Sequence, residues 1–241
     1  MRMLTFARRC AREILRDPLN LIFGLGFPTI LLLLLSAIQA NIPVPLFEIQ
    51  WLAPGVAVFG LSFMALFCAT LIARDRESAF LQRLYTTPLR SSDFILGYAL
   101  PMIPISMVQS AVCYLVALVL GLPATVNILY AVLASVPIAL VYIFLGLLCG
   151  SVFNVKQVGG ICGALLTNLS AWLSGIWFDL ELVGGAFRKI AYLLPFVHAV
   201  ELERSVIAGR FPLPHLLPVV GYTFILMIGA SLIFLRSMKR Q

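Results

Sequence analysis

The chain has 241 residues, of which 61% are hydrophobic and 11% are charged, and its formal net charge at pH 7 is +7. Soluble globular domains carry about 25% charged residues, so this composition excludes an ordinary soluble fold and indicates an integral membrane protein. The basic excess follows the membrane topology predicted below and is weak evidence for nucleic-acid binding, so we expect no nucleic-acid partner.

Six stretches of the chain lack Asp, Glu, Lys, Arg and His, and each reaches the roughly 20 residues that cross a hydrocarbon core as a helix. One charge at the centre of a span costs about 2.5–3.5 kcal/mol, so uncharged stretches of this length predict transmembrane helices. The predicted fold is an all-α membrane protein with a single transmembrane domain over 1–241. Its six predicted spans are about 19–39, 51–73, 94–120, 128–150, 158–178 and 216–235.

The basic residues are distributed unevenly between the two sides of this predicted bundle. An even number of spans places both termini on one side, and thirteen of the seventeen Lys and Arg residues lie on that side. Cytoplasmic loops carry an excess of Lys and Arg, so we predict that both termini and the loop after the second span are cytoplasmic. The chain is therefore predicted to be a multi-pass protein of the cell membrane.

Residues 1–18 precede the first predicted span and have a helical pattern. Arg8, Arg12 and Arg16 form a basic row at four-residue spacing. Helices of this kind lie in the membrane interface with their basic residues near lipid phosphates, so we predict a cytoplasmic interfacial helix that contacts membrane lipid. Its predicted apolar face consists of Leu4, Ala7, Ala11, Ile14 and Leu15.

The charged segment 74–93 lies between the second and third predicted spans. Its apolar residues fall on one side of a helix and its charged residues largely on the other. Thr87 precedes Pro88, and the residue before a proline is disfavoured in a helix, so the helix is predicted to end there. A plain solvated loop is the alternative. The pattern rests on the charged Arg74, Asp75, Arg76 and Glu77 and on the apolar Phe80, Leu81 and Leu84.

Few polar side chains interrupt the predicted spans. Gln109 in the third span and Asn168 and Ser170 in the fifth are candidates for contacts along a substrate path. A polar residue in a helix bundle more often bonds a neighbouring helix, and that alternative stays open for Gln109. The fourth span contains the GxxxG sequence from Gly146 to Gly150, which predicts close packing within the chain or, less often, a subunit interface.

The segment 179–213, between the last two predicted spans, alternates charged with apolar residues and is broken by Pro195. Two short amphipathic helices that enter the outer leaflet and return fit this pattern. A seventh span is the alternative, but it would bury Arg188 and Lys189 and would place the carboxyl terminus outside. We therefore predict an external re-entrant helical pair before the last span.

Three segments resemble the permeases of the ABC-2 type transporter family. They are 74–93, with its ThrThrProLeu ending, 173–181 (LeuSerGlyIleTrpPheAspLeuGlu) and 194–204 (LeuProPheValHisAlaValGluLeuGluArg). The resemblance implies that 74–93 holds a coupling helix that docks on a separate ATP-binding subunit, with the amino-terminal helix against that subunit. It also implies that two permease chains pair, alike or different. Asp179 stands where the family often has Pro, and His198 stands where His is common in bacterial members.

The sequence carries no motif for catalysis or metal binding. It contains no GxxxxGK[ST] phosphate loop, no HExxH and no GxSxG. Its five Cys residues have no CxxC spacing, so neither a disulfide nor a metal site is expected. We therefore predict that the chain is not an enzyme and holds no cofactor, and that ATP and Mg²⁺ are bound by the partner subunit that the resemblance implies.

The predicted spans also lack the ionisable residue that ion-coupled carriers keep inside the membrane. Free energy for transport is therefore predicted to enter through 74–93. The resemblance implies the permease subunit of an ATP-driven ABC exporter that moves an amphipathic or apolar substrate, such as a drug, an antibiotic or a lipid. The alternatives are export of a polysaccharide or lipid-linked glycan, and a sensory or structural membrane subunit that transports nothing.

Overall fold

The computed structural model describes residues 2–18, 22–43, 47–78 and 91–239. Every regular element within these ranges is a helix, which confirms the predicted all-helical fold. Among the described residues five helices are long and apolar enough to cross a membrane, whereas six spans are predicted from the uncharged stretches. The five helices are Ile22–Gln39, Ile49–Glu77, Asp93–Val119, Asn127–Val152 and Leu213–Ile233.

The amino-terminal helix α1 (Arg2–Leu15) packs on the protein itself. The ring of Phe6 is buried and meets the ring of Tyr98 edge to face, with 4.9 Å between the centroids. Of the predicted apolar face, Ala7 and Ile14 are buried against the protein, whereas Leu4 and Leu15 are more than half exposed. The aromatic contact fixes the rotation of α1 about its axis, and this contact depends on a residue far away in the sequence.

The first two long helices are composite. A π-helical turn at Ile22–Gly26 leads into α2 (Phe27–Gln39). The next helix consists of α3 (Ile49–Leu61) and α4 (Phe63–Glu77), which continue one another through Ser62. Residues of both parts are almost completely buried, so this helix forms the centre of the bundle.

The following two long helices flank that centre. α5 (Ser91–Ala99) and α6 (Met102–Val119) are separated at Pro101, whose ring nitrogen has no N–H to donate to the helix. α7 (Asn127–Val152) runs for 26 residues in spite of Pro137 in its interior. Neighbouring helices can compensate for the backbone group that such a proline leaves unbonded.

The predicted span 158–178 forms a shorter helical stretch than expected. It consists of α8 (Val155–Val158), a π-helical stretch at Gly159–Leu166 and α9 (Thr167–Trp172). The helix ends at Trp172 because the chain then turns, and Gly175 in this turn has φ +71°, a backbone conformation that residues with a Cβ rarely adopt. This stretch is not among the five candidate spans of the described residues.

The GxxxG sequence of α7 packs against α4 within the chain. A Cβ atom added to Gly146 would lie 2.4 Å from the backbone oxygen of Ala65, and one added to Gly150 would lie 2.6 Å from that of Ala69. Only glycine permits this approach, which brings the two helix backbones into contact. The structure therefore assigns this motif to packing within one chain.

The segment after Trp172 contains three short helices and leads into the last long one. The chain breaks at Leu194, which is extended, and a new helix begins at Pro195, where a missing N–H is harmless. No continuous helix therefore crosses from 179 to 207, in contrast to the seventh-span alternative. The elements are α10 (Leu180–Val183), α11 (Gly185–Leu193), α12 (Pro195–Ile207) and α13 (Leu213–Lys239).

Candidate functional site

The four charged residues at the end of α4 each contact a different part of the chain. Successive residues of a helix point about 100° apart, so four consecutive side chains cover all directions around the axis. Together with their partners Arg9 and Asp17 they form what we call the charged cluster. Its members are Arg9, Asp17, Arg74, Asp75, Arg76 and Glu77.

Asp75 is the buried centre of the charged cluster, with only 2% of its surface exposed. Its Oδ2 and Oδ1 accept hydrogen bonds of 2.5 and 2.7 Å from the two terminal nitrogens of Arg9. The hydroxyl of Tyr98 donates a further bond of 2.8 Å to Oδ2. Two-point pairing of this kind is among the stronger polar interactions in proteins, and here it joins α1, α4 and α5 at one point.

The guanidinium of Arg9 is held in its charged form by this arrangement. Partial burial alone would lower the pKa of Arg9, but the hydrogen bond and the charge of Asp75 raise it above its ordinary value. Arg9 also pairs with Glu13 at 2.6 Å, one helical turn further along α1. The same cation therefore connects the buried carboxylate with the surface of α1.

The other three charged residues of α4 bond to residues at or near the ends of neighbouring helices. Arg76 donates to the backbone oxygen of Gly150 at 2.8 Å, near the end of α7, where a cation is favoured by the helix dipole. Glu77 accepts a bond of 3.0 Å from the backbone nitrogen of Val155, the first residue of α8. Arg74 pairs with Asp17 at 3.1 Å.

The charged cluster thus fixes both ends of the segment 79–90. This segment leaves α4 just after Glu77 and enters α5 at Ser91, and Asp75 and Tyr98 join these two helices. Four of the residues predicted to contact a partner, Phe80, Leu81, Leu84 and Pro88, lie outside the described residues. Of the eight predicted partner contacts, the structure describes the four charged ones, and it places each of them in contacts within the chain.

The predicted path residues Gln109, Asn168 and Ser170 do not form one site. Gln109 is buried in α6 and donates to the backbone oxygen of Ala57 in α3, at 3.4 Å. Asn168 is exposed and donates to the backbone oxygen of Ala164 in the preceding helical turn. Ser170 is buried and donates to the preceding turn of its own helix.

At the opposite end of the bundle, Arg204 of α12 contacts several elements, although it was not among the predicted site residues. Its guanidinium lies 3.7 Å from the centroid of the Trp51 ring and donates to Glu201 at 2.9 Å and to the backbone oxygen of Gly175 at 3.0 Å. Burial lowers the pKa of Arg204, and Glu201 opposes this shift. A cavity of about 340 Å³ lies beside these residues.

Two further residues that the resemblance singles out have contacts within the chain. Asp179 begins α10, and its Oδ1 accepts a bond of 2.9 Å from the backbone nitrogen of Glu181, as an N-terminal cap does. His198 lies 3.3 Å from His215 between ring nitrogens and 3.1 Å from the backbone oxygen of Tyr192. Asp179 thus caps its own helix, whereas His198 connects α12 with α11 and α13. The described residues contain no group of three or more His, Cys, Asp or Glu side chains placed to hold a metal ion.

Comparison with known proteins identifies the family of this chain. The profile of the ABC-2 type transporter family matches residues 2–208. The probable multidrug ABC transporter permease YbhS of Escherichia coli K12 is 24% identical over 199 residues, which are 80% of this chain and 51% of that protein. ABC transporter G family member 20 of Dictyostelium discoideum is 26% identical over 166 residues, 66% of this chain and 22% of that protein. The chain thus spans about half the length of the bacterial relative, and it belongs to the ABC-2 type transporter family of membrane permeases.

Proposed function

We propose that this chain is the permease subunit of an ATP-driven exporter whose ATP hydrolysis occurs in a separate subunit. Membership of the ABC-2 family supports a transport role. The bacterial relative is named a probable multidrug permease, which supports a drug-like, amphipathic or apolar cargo for this chain. ATP and Mg²⁺ would be bound by the partner ATPase, and the active assembly would contain two permease chains.

The proposed topology has six crossings in the cell membrane. The crossing added to the five long helices is the 18-residue stretch Val155–Trp172, the fifth along the chain, formed by α8, the π-helical stretch and α9. With both termini in the cytoplasm, the charged cluster faces the cytoplasm and the segment 179–213 lies outside. The distribution of Lys and Arg supports this orientation.

The observation that carries the proposal is the bond pattern of Asp75. Through Arg9 and Tyr98 it joins α1, α4 and α5, and two of these helices border the segment 79–90. A displacement of this segment would therefore move α1, the central helix and the third predicted span as one unit. Such a unit is what a transporter needs to convert closure of an ATPase into opening of a path.

Within this mechanism the segment 79–90 supplies the surface that contacts the ATPase. The charged cluster keeps this surface in position relative to the helix bundle. We propose that Phe80, Leu81 and Leu84 fill an apolar groove on the ATPase, with Pro88 ending the coupling helix. Arg74, Asp75, Arg76 and Glu77 act behind this surface by fixing its position relative to the bundle.

The cargo path is proposed to be largely uncharged, which suits an amphipathic or apolar compound. Asn168 is its best candidate contact among the residues predicted, because its side chain is exposed. Gln109 and Ser170 are buried between packed helices, so they would reach cargo only after the helices separate.

Co-purification of an ATPase tests the proposal. The tagged chain would be isolated from its native membranes in mild detergent, and the eluate would be assayed for ATP hydrolysis. We expect ATPase activity with the wild-type chain and its loss in Leu84→Asp, because a charge on the apolar face would be buried in the groove. Efflux of a fluorescent amphipathic dye from cells should fall in parallel.

Gln82→Asp is the matched control. It adds the same charge two positions before Leu84, which is about 200° away around the predicted helix, and should retain the partner ATPase and dye efflux. Equal ATPase recovery from wild type and Leu84→Asp would contradict the coupling role. A folded wild-type chain that elutes with no nucleotide-binding partner would favour the non-transporting membrane subunit instead.

A further inference from the structure

A buried carboxyl group lies between α12 and α6, at the end of the bundle opposite to the charged cluster. Glu203 is 0% exposed. Its Oε2 accepts a hydrogen bond of 2.8 Å from the hydroxyl of Tyr114, whereas no donor among the described residues reaches its Oε1. A carboxylate ion normally accepts bonds at both oxygens, so this site satisfies an ionised group incompletely.

The neighbouring Arg204 does not supply the missing bond to Oε1 of Glu203. Arg204 follows Glu203 in the chain, but its guanidinium donates to Glu201, to the backbone oxygen of Gly175 and to that of Trp51. No ion pair of Glu203 is present among the described residues. A buried ion without a cation is far more costly than a neutral carboxyl group, so the neutral form suits this site.

The elements packed against α12 supply no further charge at this point. α3 and α7 contain no Asp, Glu, Lys, Arg or His, and α6 contributes only the hydroxyl of Tyr114. The remaining titratable groups on neighbouring elements contact other residues or line the cavity. They are Glu201 at Arg204, Asp179 at the backbone of Glu181, His198 and His215 at one another, Arg188 at Glu181, and Glu48 and Arg210 at the cavity, while Lys189 is exposed on α11.

We propose that Glu203 is a reversible proton-binding site that fastens α12 to α6. The carboxyl group is neutral while the two helices are packed together, and its ionisation favours separation of α12 from α6. The cavity of about 340 Å³ is lined by Arg204 and Ser205, the two residues that follow Glu203, and we propose that the proton reaches Glu203 from this space. The site is independent of the proposed ATPase partner.

The sign of the pH dependence follows from the burial of Glu203. Burial raises the pKa of Glu203 from 4.5 to about 8, and the hydrogen bond from Tyr114 opposes this shift. The packed state therefore binds the proton more tightly than a solvated Glu203, by on the order of a thousandfold. The contribution of this site to packing is complete below pH 4.5 and is lost as the pH rises to about 8.

Infrared spectroscopy of the purified chain in lipid nanodiscs tests the proton site directly. A protonated carboxyl group has a C=O stretch that is separate from the carboxylate bands. We expect this band in the wild-type spectrum at neutral pH, its disappearance with a midpoint near pH 8, and its absence in Glu203→Gln. Glu201→Gln is the matched control on the same helix, and it should keep the band because Glu201 is paired with Arg204.

Tyr114→Phe keeps the proposal testable if Glu203→Gln fails to fold. Removing the hydroxyl takes away a donor that favours the ionised carboxylate, so the midpoint of the band should move to higher pH. A wild-type midpoint close to that of an ordinary carboxyl group would overturn the proposal. So would a band that persists in folded Glu203→Gln, or a midpoint that Tyr114→Phe leaves unchanged.

Discussion

Two buried carboxyl groups, Asp75 and Glu203, lie at opposite ends of the helix bundle and share one feature. Each accepts a hydrogen bond of 2.8 Å from a tyrosine, Tyr98 in one case and Tyr114 in the other. Only Asp75 also has a cation, because Arg9 binds both of its oxygens. A tyrosine hydroxyl can serve a carboxyl group in either charge state, whereas a guanidinium requires the ionised one.

The comparison shows that the available counter-ion, and not burial alone, determines what a buried carboxyl group can do. At the charged cluster the ion pair forms a permanent junction between α1, α4 and α5. At α12 no cation of the described residues pairs with Glu203, so the proposed junction depends on a proton. Four substitutions test this difference, and their expected effects on stability decrease from Arg9 through Tyr98 and Tyr114 to Arg74.

Removal of the cation at the charged cluster should have the largest effect. Arg9→Met leaves Asp75 buried without its partner and should lower the free energy of unfolding by about 3 kcal/mol, near the lower end for buried pairs because Arg9 is partly exposed. The double variant Arg9→Met/Asp75→Asn should recover much of this loss, since no unpaired charge remains. Chemical denaturation in detergent measures both values. Strictly additive losses would show that the ion pair is unimportant.

Removal of the Tyr98 hydroxyl, which donates to Asp75, should have a moderate effect. Tyr98→Phe leaves the ion pair intact but takes away one hydrogen bond to a charged acceptor, which should cost about 1.5–2 kcal/mol. The same denaturation measurement applies. Tyr130→Phe changes an exposed tyrosine and should stay within about 0.5 kcal/mol of wild type. A similar loss in both variants would contradict the role of Tyr98.

Removal of the Tyr114 hydroxyl, which donates to Glu203, should have an effect that depends on pH. Tyr114→Phe should cost about 1 kcal/mol near pH 5, where Glu203 is neutral, because a neutral hydrogen bond is lost. The loss should be larger above about pH 8, where the carboxyl group ionises and its missing donor matters more. Thermal unfolding across this pH range measures the difference. For Tyr98→Phe no such increase is expected, and equal pH profiles would remove the distinction between the two sites.

The smallest effect is expected for the outermost pair of the charged cluster. The Arg74 side chain is 58% exposed, so Arg74→Ala should change the free energy of unfolding by less than about 1 kcal/mol. Any difference from wild type should decrease further at high salt, which screens exposed charges. A loss as large as that of Arg9→Met would mean that the charged cluster acts as a unit and not through its buried pair.

The positions of the helices could largely be predicted from the sequence, whereas the contacts between the helices could not. Uncharged stretches predict helices because the membrane imposes the same cost on every charge, wherever the chain lies. The pairing of Arg9 with Asp75 joins residues 66 positions apart and depends on the tertiary structure. The early end of the fifth predicted span depends on the positive φ of Gly175, which an apolar pattern does not reveal.

The burial of Glu203 could not be predicted from the sequence either. In the sequence it is one of several charges that alternate with apolar residues along α12, a pattern typical of an amphipathic helix with a solvated face. Its burial results from contact with α6 across 89 positions of the chain. Tyr114 in turn lies within an uncharged stretch and gives no sign of a partner.

The glycine face of α7 limits how copies of this chain can associate. Gly146 and Gly150 already lie against the backbone of α4, so this small-residue surface is occupied by a helix of the same chain. The proposed pairing of two permease chains would therefore use surfaces other than the Gly146–Gly150 face. That proposed pairing should accordingly tolerate changes in α7 that leave its packing against α4 intact.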